Sequence, residues 1–239
     1  MPLPVTALVG VTPIVALDVP TRVQADALAD RLRGLCGFYK VGSELFTAEG
    51  PPVVRGFRER GAEVFLDLKF HDIPNTVREG ARSATRMGAR LLTVHAAGGR
   101  AMVEAAVEGA GDGCGILAVT VLTSMDERAL AEASGRDGAR VEDEVLRLAG
   151  VAAAAGAYGV VCSGREAPAV RARFGDALRI LVPGVRFADG ASHDQARVVT
   201  PAGAAEAGAS YVVLGRVVTA HADPAAAMRR ACAELAGPV

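Results

Sequence analysis

The stretch "EVFLDLKFHDIPNT", residues 63–76, decides how this chain is to be read. The run "EVFL" leads directly into Asp67, Lys69, His71 and Asp72, and then into a proline and two small polar residues. A surface helix would scatter such charges, and a strand buried along its whole length would exclude them. A strand that starts in a core and ends at a polar mouth accommodates both halves. On such a strand Asp67 and Lys69 point the same way, and Leu68 points to the opposite side. Pro74 cannot continue a β-ladder but suits the first turn of a helix. Asp72 is then left on the connecting loop, and Lys69 can be flanked by two carboxylates, which keep a lysine protonated.

The same unit recurs along the chain. Short apolar runs rich in β-branched residues appear as "PIVALDV", "FYKVGS", "EVFLDLK", "LLTVHA", "GILAVTVL", "GVVCS", "RILVPGV" and "YVVLGR". Their composition predicts strands buried on both faces. Between them lie stretches of helical spacing such as "TRVQADALADRLRGL" and "VEDEVLRLAGVAAAAGA", often closed by glycine. Strict alternation predicts parallel pairing through right-handed crossovers. Eight units within 239 residues predict an α/β fold, a single (β/α)8 TIM barrel over residues 1–239. An open doubly wound sheet is the alternative, but the first strand carries no GxGxxG turn.

A barrel concentrates its chemistry at the C-terminal ends of its strands. Polar residues fall there in every unit: Asp18, Lys40, Asp67 with Lys69, His95, Thr123, Ser163, Arg186 and Arg216. A lysine held protonated between acids is a poor Schiff-base nucleophile, because that role needs a neutral amine. It is a good proton donor and a good partner for a developing carbanion. Asp67 and Asp72 could attract Mg²⁺, yet Lys69 between them competes with the cation. No two histidines stand at a metal-ligand spacing, so no metal is expected. His71 reads as a loop-shaping residue, and His95 either as a core hydrogen-bonding group or as part of the pocket wall. His193 and His221 have no evident partner.

A second polar centre lies late in the chain. "VPGVRFADGASHDQARVVTP", residues 182–201, is a long loop with Arg186 near its start and Gln195 near its end, and "LGRVVT" closes the eighth run with Gly215 and Arg216. Loops after the seventh and eighth strands of such barrels often hold phosphate. An arginine fork suits phosphate oxygens, and a glycine lets the backbone come close. A loop of this length is more often a lid or binding loop than a neutral insertion.

Composition narrows the partners. The net charge is −1, with 51% hydrophobic, 22% charged and 4% aromatic residues and no tryptophan. Nothing there draws the chain to nucleic acid or to an anionic membrane. Cys36, Cys114, Cys162 and Cys232 are far apart without CxxC spacing, which predicts free, mostly buried thiols and a reducing compartment. The N-terminal "MPLPVTALVG" has no basic n-region, and no apolar run reaches the ~20 residues that span a bilayer. A cytoplasmic location is the expectation.

With these segments in order, the chain resembles the orotidine 5′-phosphate decarboxylase family. The resemblance rests on "ALDVP", "YKVGSELF", "DLKFHDIPNT", "AVTVLTSM", "VCSGREA", "VPGVR", "DQARVVTP" and "LGRVVT", which together cover nearly the whole chain. A bare DxKxxD is shared with Mg²⁺-dependent barrels acting on sugar phosphates, whereas "IPNT" and "VTVLTS" look like the orotidine enzymes. The resemblance implies cofactor-free decarboxylation of orotidine 5′-phosphate to uridine 5′-phosphate, in pyrimidine biosynthesis. It implies that Asp18 and Lys40 hold the ribose hydroxyls, with Lys40 also in the catalytic charged network beside the reaction centre, that Asp67 lies near the substrate carboxylate, and that Lys69 protonates the ring carbon. It further implies that Thr123 contacts the pyrimidine and that Arg186, Gln195, Gly215 and Arg216 bind phosphate. Asp72 and Thr76 are implied to enter the partner's active site in a homodimer.

Overall fold

A computed structural model describes residues 10–189 and 198–237 of the chain. Eight parallel strands close on themselves: β1 (Thr12–Ala16), β2 (Phe38–Gly42), β3 (Glu63–Phe70), β4 (Leu91–His95), β5 (Gly115–Val119), β6 (Gly159–Val161), β7 (Arg179–Val182) and β8 (Tyr211–Leu214). Each of the eight apolar runs contains one strand. The pairing Thr12↔Tyr211 through Val15↔Leu214 joins β1 to β8 and closes the barrel, which rules out the open sheet.

The burial of each strand explains its sequence. Residues of one parity face the helices and those of the other face the barrel axis. The axial set Ile14, Ala16, Phe38, Phe65, Leu91, Leu117, Leu181 and Val213 forms its own apolar cluster. Tyr158 and Tyr211 pack against it, their hydroxyls 2.8 Å apart. The opposite parity joins the larger cluster shared with the helices. Both faces are therefore dry, and the strands read as continuous apolar runs.

The helices start where local chemistry favours it. The hydroxyl of Thr21 accepts from the Gln24 N–H ahead of the helix Arg22–Arg31, and the Asp223 carboxylate accepts from the Ala226 N–H ahead of Pro224–Ala236. Pro74 is the first residue of the helix Pro74–Arg86, where its missing N–H costs nothing. His221, without a partner in the sequence reading, accepts at Nδ1 from the Asp223 N–H at 3.0 Å and so belongs to that helix start.

The helix following β3 is seated by close backbone contact. A Cβ added at Gly109, on the helix Arg100–Ala110, would lie 2.1 Å from the carbonyl oxygen of Arg78. Thr85 reinforces the seam by donating to the Ala110 carbonyl at 3.1 Å. Gly109→Ala must push the two helices apart, because the obstacle is backbone. It is expected to cost about 1–3 kcal/mol by overpacking. Urea unfolding of the variant against the unchanged chain measures this, and an unaltered midpoint would show that the seam yields freely.

Candidate active site

The axial parity that fills the barrel floor also builds the site. Asp18 lies two residues beyond Ala16, Lys40 two beyond Phe38, Asp67 two beyond Phe65 and Thr93 two beyond Leu91. Each strand of the first half, with the segment just beyond it in the case of β1, thus carries an apolar side chain at the floor and a polar one a layer above.

Asp67 is the centre of this layer. The Lys69 ammonium donates to both its oxygens, at 2.8 and 2.9 Å. The Thr93 hydroxyl donates to Oδ1 at 2.9 Å, and Lys40 Nζ stands 3.7 Å from Oδ2. Lys40 in turn donates to Asp18 Oδ1 at 2.5 Å. Acids and lysines therefore alternate along one chain of contacts. Side-chain exposure rises outward from Asp67 (13%) and Lys40 (10%) to Lys69 (37%) and Asp18 (55%), so the interior pair is the one that most needs its partners. Burial alone would raise the Asp67 pKa. The charges of Lys40 and Lys69, with the hydrogen bonds from Lys69 and Thr93, outweigh it and hold the carboxyl below its ordinary range.

Two backbone features make room for this arrangement. Lys69 has φ of 51°, the one non-glycine residue with positive φ among the described residues. A side chain in that region costs about 1–2 kcal/mol. The β3–β4 register shifts here, from Leu66↔Leu92 to Phe70↔Val94. Regular alternation, which predicts that Asp67 and Lys69 share a face, gives the right neighbours by the wrong route: a bulge re-aims Lys69 onto Asp67. The second feature is Gly42 at the end of β2. A Cβ there would sit 2.8 Å from Lys40 Nζ and 2.9 Å from Asp18 Oδ1. Only glycine leaves that ion pair undisturbed.

A cavity of about 350 Å³ opens above this layer. Asp18, Lys40, Asp67 and Lys69 line one side, and Gly184, Arg186, Gly215 and Arg216 line another. Between them stand Val121, Leu122, Thr123 and Ser124, from the segment after β5. Arg186 is buried and lies beyond β7, not at its end, next to the bridge between Val185 and Val199. A Cβ on Gly215, which lines the cavity, would meet no atom within 4 Å.

Some expected residues lie elsewhere. Asp72 and Thr76 are exposed and outside the cavity. The Asp72 carboxylate accepts from the Ile73 N–H at 2.6 Å, so within one chain Lys69 is paired with Asp67 and not flanked by a second acid. Ser163 is fully buried and donates to Glu166 at 2.5 Å, which makes it part of the loop after β6 and not of the cavity wall. His95 is not among the cavity-lining residues. Its ring lies 5.4 Å from that of His71, and burial, then the charges of His71 and Lys69, hold its pKa below the ordinary range. Gln195 and His193 lie outside the described residues. Among the described residues no cluster of three or more His, Cys, Asp or Glu is arranged to hold a metal ion.

Sequence reasoning missed Thr93 and Gly42. Both left a signal: one hydroxyl inside the apolar run "LLTVH", and a glycine ending a strand, which often marks a close approach.

The chain is similar to known proteins over most of its length. The model of the orotidine 5′-phosphate decarboxylase / HUMPS family matches residues 12–231. The orotidine 5′-phosphate decarboxylase of Anaeromyxobacter dehalogenans is 56% identical over 220 residues, covering 92% of this chain and 96% of that protein. The Moorella thermoacetica enzyme of the same name is 49% identical over 230 residues, covering 93% and 91%. Among solved structures, the orotidine 5′-phosphate decarboxylase of Lactobacillus acidophilus superposes with a TM-score of 0.81 at 36% identity, covering 93% of this chain and 97% of that one. That of Pyrococcus horikoshii gives 0.77 at 27%, covering 95% and 100%. The match spans all eight strands and the residues that line the cavity, and the chain belongs to the orotidine 5′-phosphate decarboxylase / HUMPS family.

Proposed function

We propose that the protein converts orotidine 5′-phosphate to uridine 5′-phosphate in pyrimidine biosynthesis, without a cofactor, and that Lys69 supplies the proton. The observation that carries this is the Lys69 ammonium clamped on Asp67 inside a cavity that Arg186 and Arg216 also line. The substrate's phosphate would sit against Arg186, Gly215 and Arg216, with Gln195 beside them, and its ring would lie near Thr123 and over Lys69. Asp18 and Lys40 would take the ribose hydroxyls.

The chemistry asks for what this geometry offers. Breaking the ring–carboxylate bond releases carbon dioxide and leaves the electron pair in the ring plane, where the ring carbonyls cannot delocalise it. A fixed cation beside that carbon stabilises the charge without reorganising as it develops. Lys69 then gives its proton to the carbon and is reprotonated from solvent. Asp67 orients the ammonium, and its own negative charge lies next to the position of the departing carboxylate. Binding energy from the distant phosphate would be spent on holding the ring in place. The free cysteines suit a reducing compartment, and we place the protein in the cytoplasm.

Asp72 and Thr76 do not line their own cavity. We assign them to the active site of the partner in a symmetric homodimer, since Asp72 lies on the exposed loop directly after the catalytic strand and Thr76 in the exposed first turn of the helix that follows.

The primary test is the loss of orotidine 5′-phosphate absorbance with purified protein, before and after exhaustive chelation. Turnover unchanged by chelation is expected. Activity lost to chelation and restored by Mg²⁺ would favour the sugar-phosphate branch of the family instead.

Arg216→Ala removes a charge-assisted contact to phosphate. It is expected to lower kcat/KM on orotidine 5′-phosphate by ~1.5–3 kcal/mol, with a much smaller loss on the nucleoside. Equal losses on both substrates would mean that Arg216 supports the fold.

Lys40→Ala and Asp72→Ala should each be inactive as homodimers. In a mixed dimer one site carries both lesions and the other neither, so random exchange should restore about a quarter of full activity by symmetry. Verified exchange without recovery would place Asp72 in its own site.

A further inference from the structure

Thr93 is a buried hydroxyl-bearing residue beside the Asp67–Lys69 pair. It is 1% exposed, on the axial face of β4, and does not line the cavity. Its hydroxyl makes two directed contacts at once. It donates to Asp67 Oδ1 at 2.9 Å and accepts from the backbone N–H of Lys69 at 2.9 Å. That N–H belongs to the residue held at φ 51°, inside the β3 bulge where the ladder to β4 breaks its register. A buried N–H left without an acceptor at such a break would be costly, and a strained backbone persists only where its surroundings over-determine it.

We propose that Thr93 is a positioning residue. Through one hydroxyl it pins the left-handed backbone of Lys69 and the carboxylate of Asp67 in a single arrangement, and so fixes where the Lys69 ammonium points. A valine would fill the same space but could do neither. An alanine would also leave the N–H and the carboxylate without this partner. Serine keeps the hydroxyl and loses only the methyl group. The inference rests on the decarboxylase reading for its kinetic consequence, but the pinning itself is independent of that reading.

The test compares Thr93→Ser with Thr93→Ala, which share the lost methyl and differ in the hydroxyl. With turnover of orotidine 5′-phosphate as readout, Ala is expected to lose about 10- to 100-fold in kcat, as misplaced catalytic groups do. KM should stay nearly unchanged, because Thr93 lies outside the cavity. Ser is expected to stay within a few-fold of the unchanged protein. The charged groups facing Asp67 are Lys40 and Lys69, and His95 is the titratable group nearby. Removing the Thr93 donor leaves them in place but weakens the hold on the anionic form, so the acid limb of the kcat profile should move to higher pH in Ala and not in Ser. Amide exchange of Lys69, followed by NMR, reads the pinning without any activity: slow in the unchanged protein and in Ser, faster in Ala.

Equal kcat in Ser and Ala, or equal Lys69 exchange in both, would overturn the assignment. An unchanged protein that does not turn over orotidine 5′-phosphate would sink the decarboxylase reading, while the exchange comparison would still decide the role of Thr93.

Discussion

A carboxylate taken out of water inside a barrel is tolerated only with charge and hydrogen bonds to compensate, and much around the Asp67 site follows from that requirement. Lys69 binds both oxygens, Thr93 binds one, and Lys40 stands behind. Each partner then imposes its own condition. Lys69 reaches Asp67 through a backbone turned into the left-handed region. Lys40 is shared with Asp18, and the pair leaves no space for a side chain at Gly42. Removing one cation would leave the remaining charges uncompensated in a dry setting, which is more costly than the pair is stabilising. The cluster is best understood as one object, with coupled responses to any single change.

The barrel separates two electrostatic tasks. The strands of the first half carry two acids and two lysines in alternation, which hold one another in fixed positions. The segments after β7 and β8 contribute Arg186 and Arg216 with glycines beside them. The charges of the first region are satisfied within the protein. The second combines arginine donors with backbone open to close approach, as suits a phosphate. Under the proposed reading, affinity comes from the arginine side and reactivity from the lysine side, a division that lets remote binding energy serve the chemical step. The apolar floor beneath, from Phe65, Leu91 and their neighbours, keeps the lower barrel dry and strengthens every charge above it.

The segment of residues 71–76 stands apart from this economy. All six residues are exposed, including Ile73 at 67%, although they directly follow the most constrained strand of the barrel. Pro74 and the helix it starts hold the segment in place, and Gly109 seats that helix against its neighbour. A well-held segment that presents an acid, a threonine and an aliphatic side chain outward is suited to meeting a second copy of the chain, which is the role proposed for Asp72 and Thr76.

The amino-acid sequence by itself determined the eight strands, because burial on both faces forces unbroken apolar runs, and it determined the polar rim, because a barrel strand can change character only where it leaves the core. Asp18, Lys40, Asp67, Lys69, Thr123, Arg186, Gly215 and Arg216 were legible for that reason, and all line one cavity. Closure of the sheet was expected from the count of eight units, while the β1–β8 register that effects it, between segments nearly the whole chain apart, is seen only in the structure. Ser163 looked like a site residue because it ends a strand, yet it turns inward to Glu166. Only the tertiary structure decided that Asp72 does not reach Lys69 within one chain, that a bulge and not simple alternation aims Lys69 at Asp67, and that Thr93 and Gly42 belong to the site. These depend on distances across strands, and a one-dimensional pattern records which face a residue occupies but not how close its neighbours on other strands come.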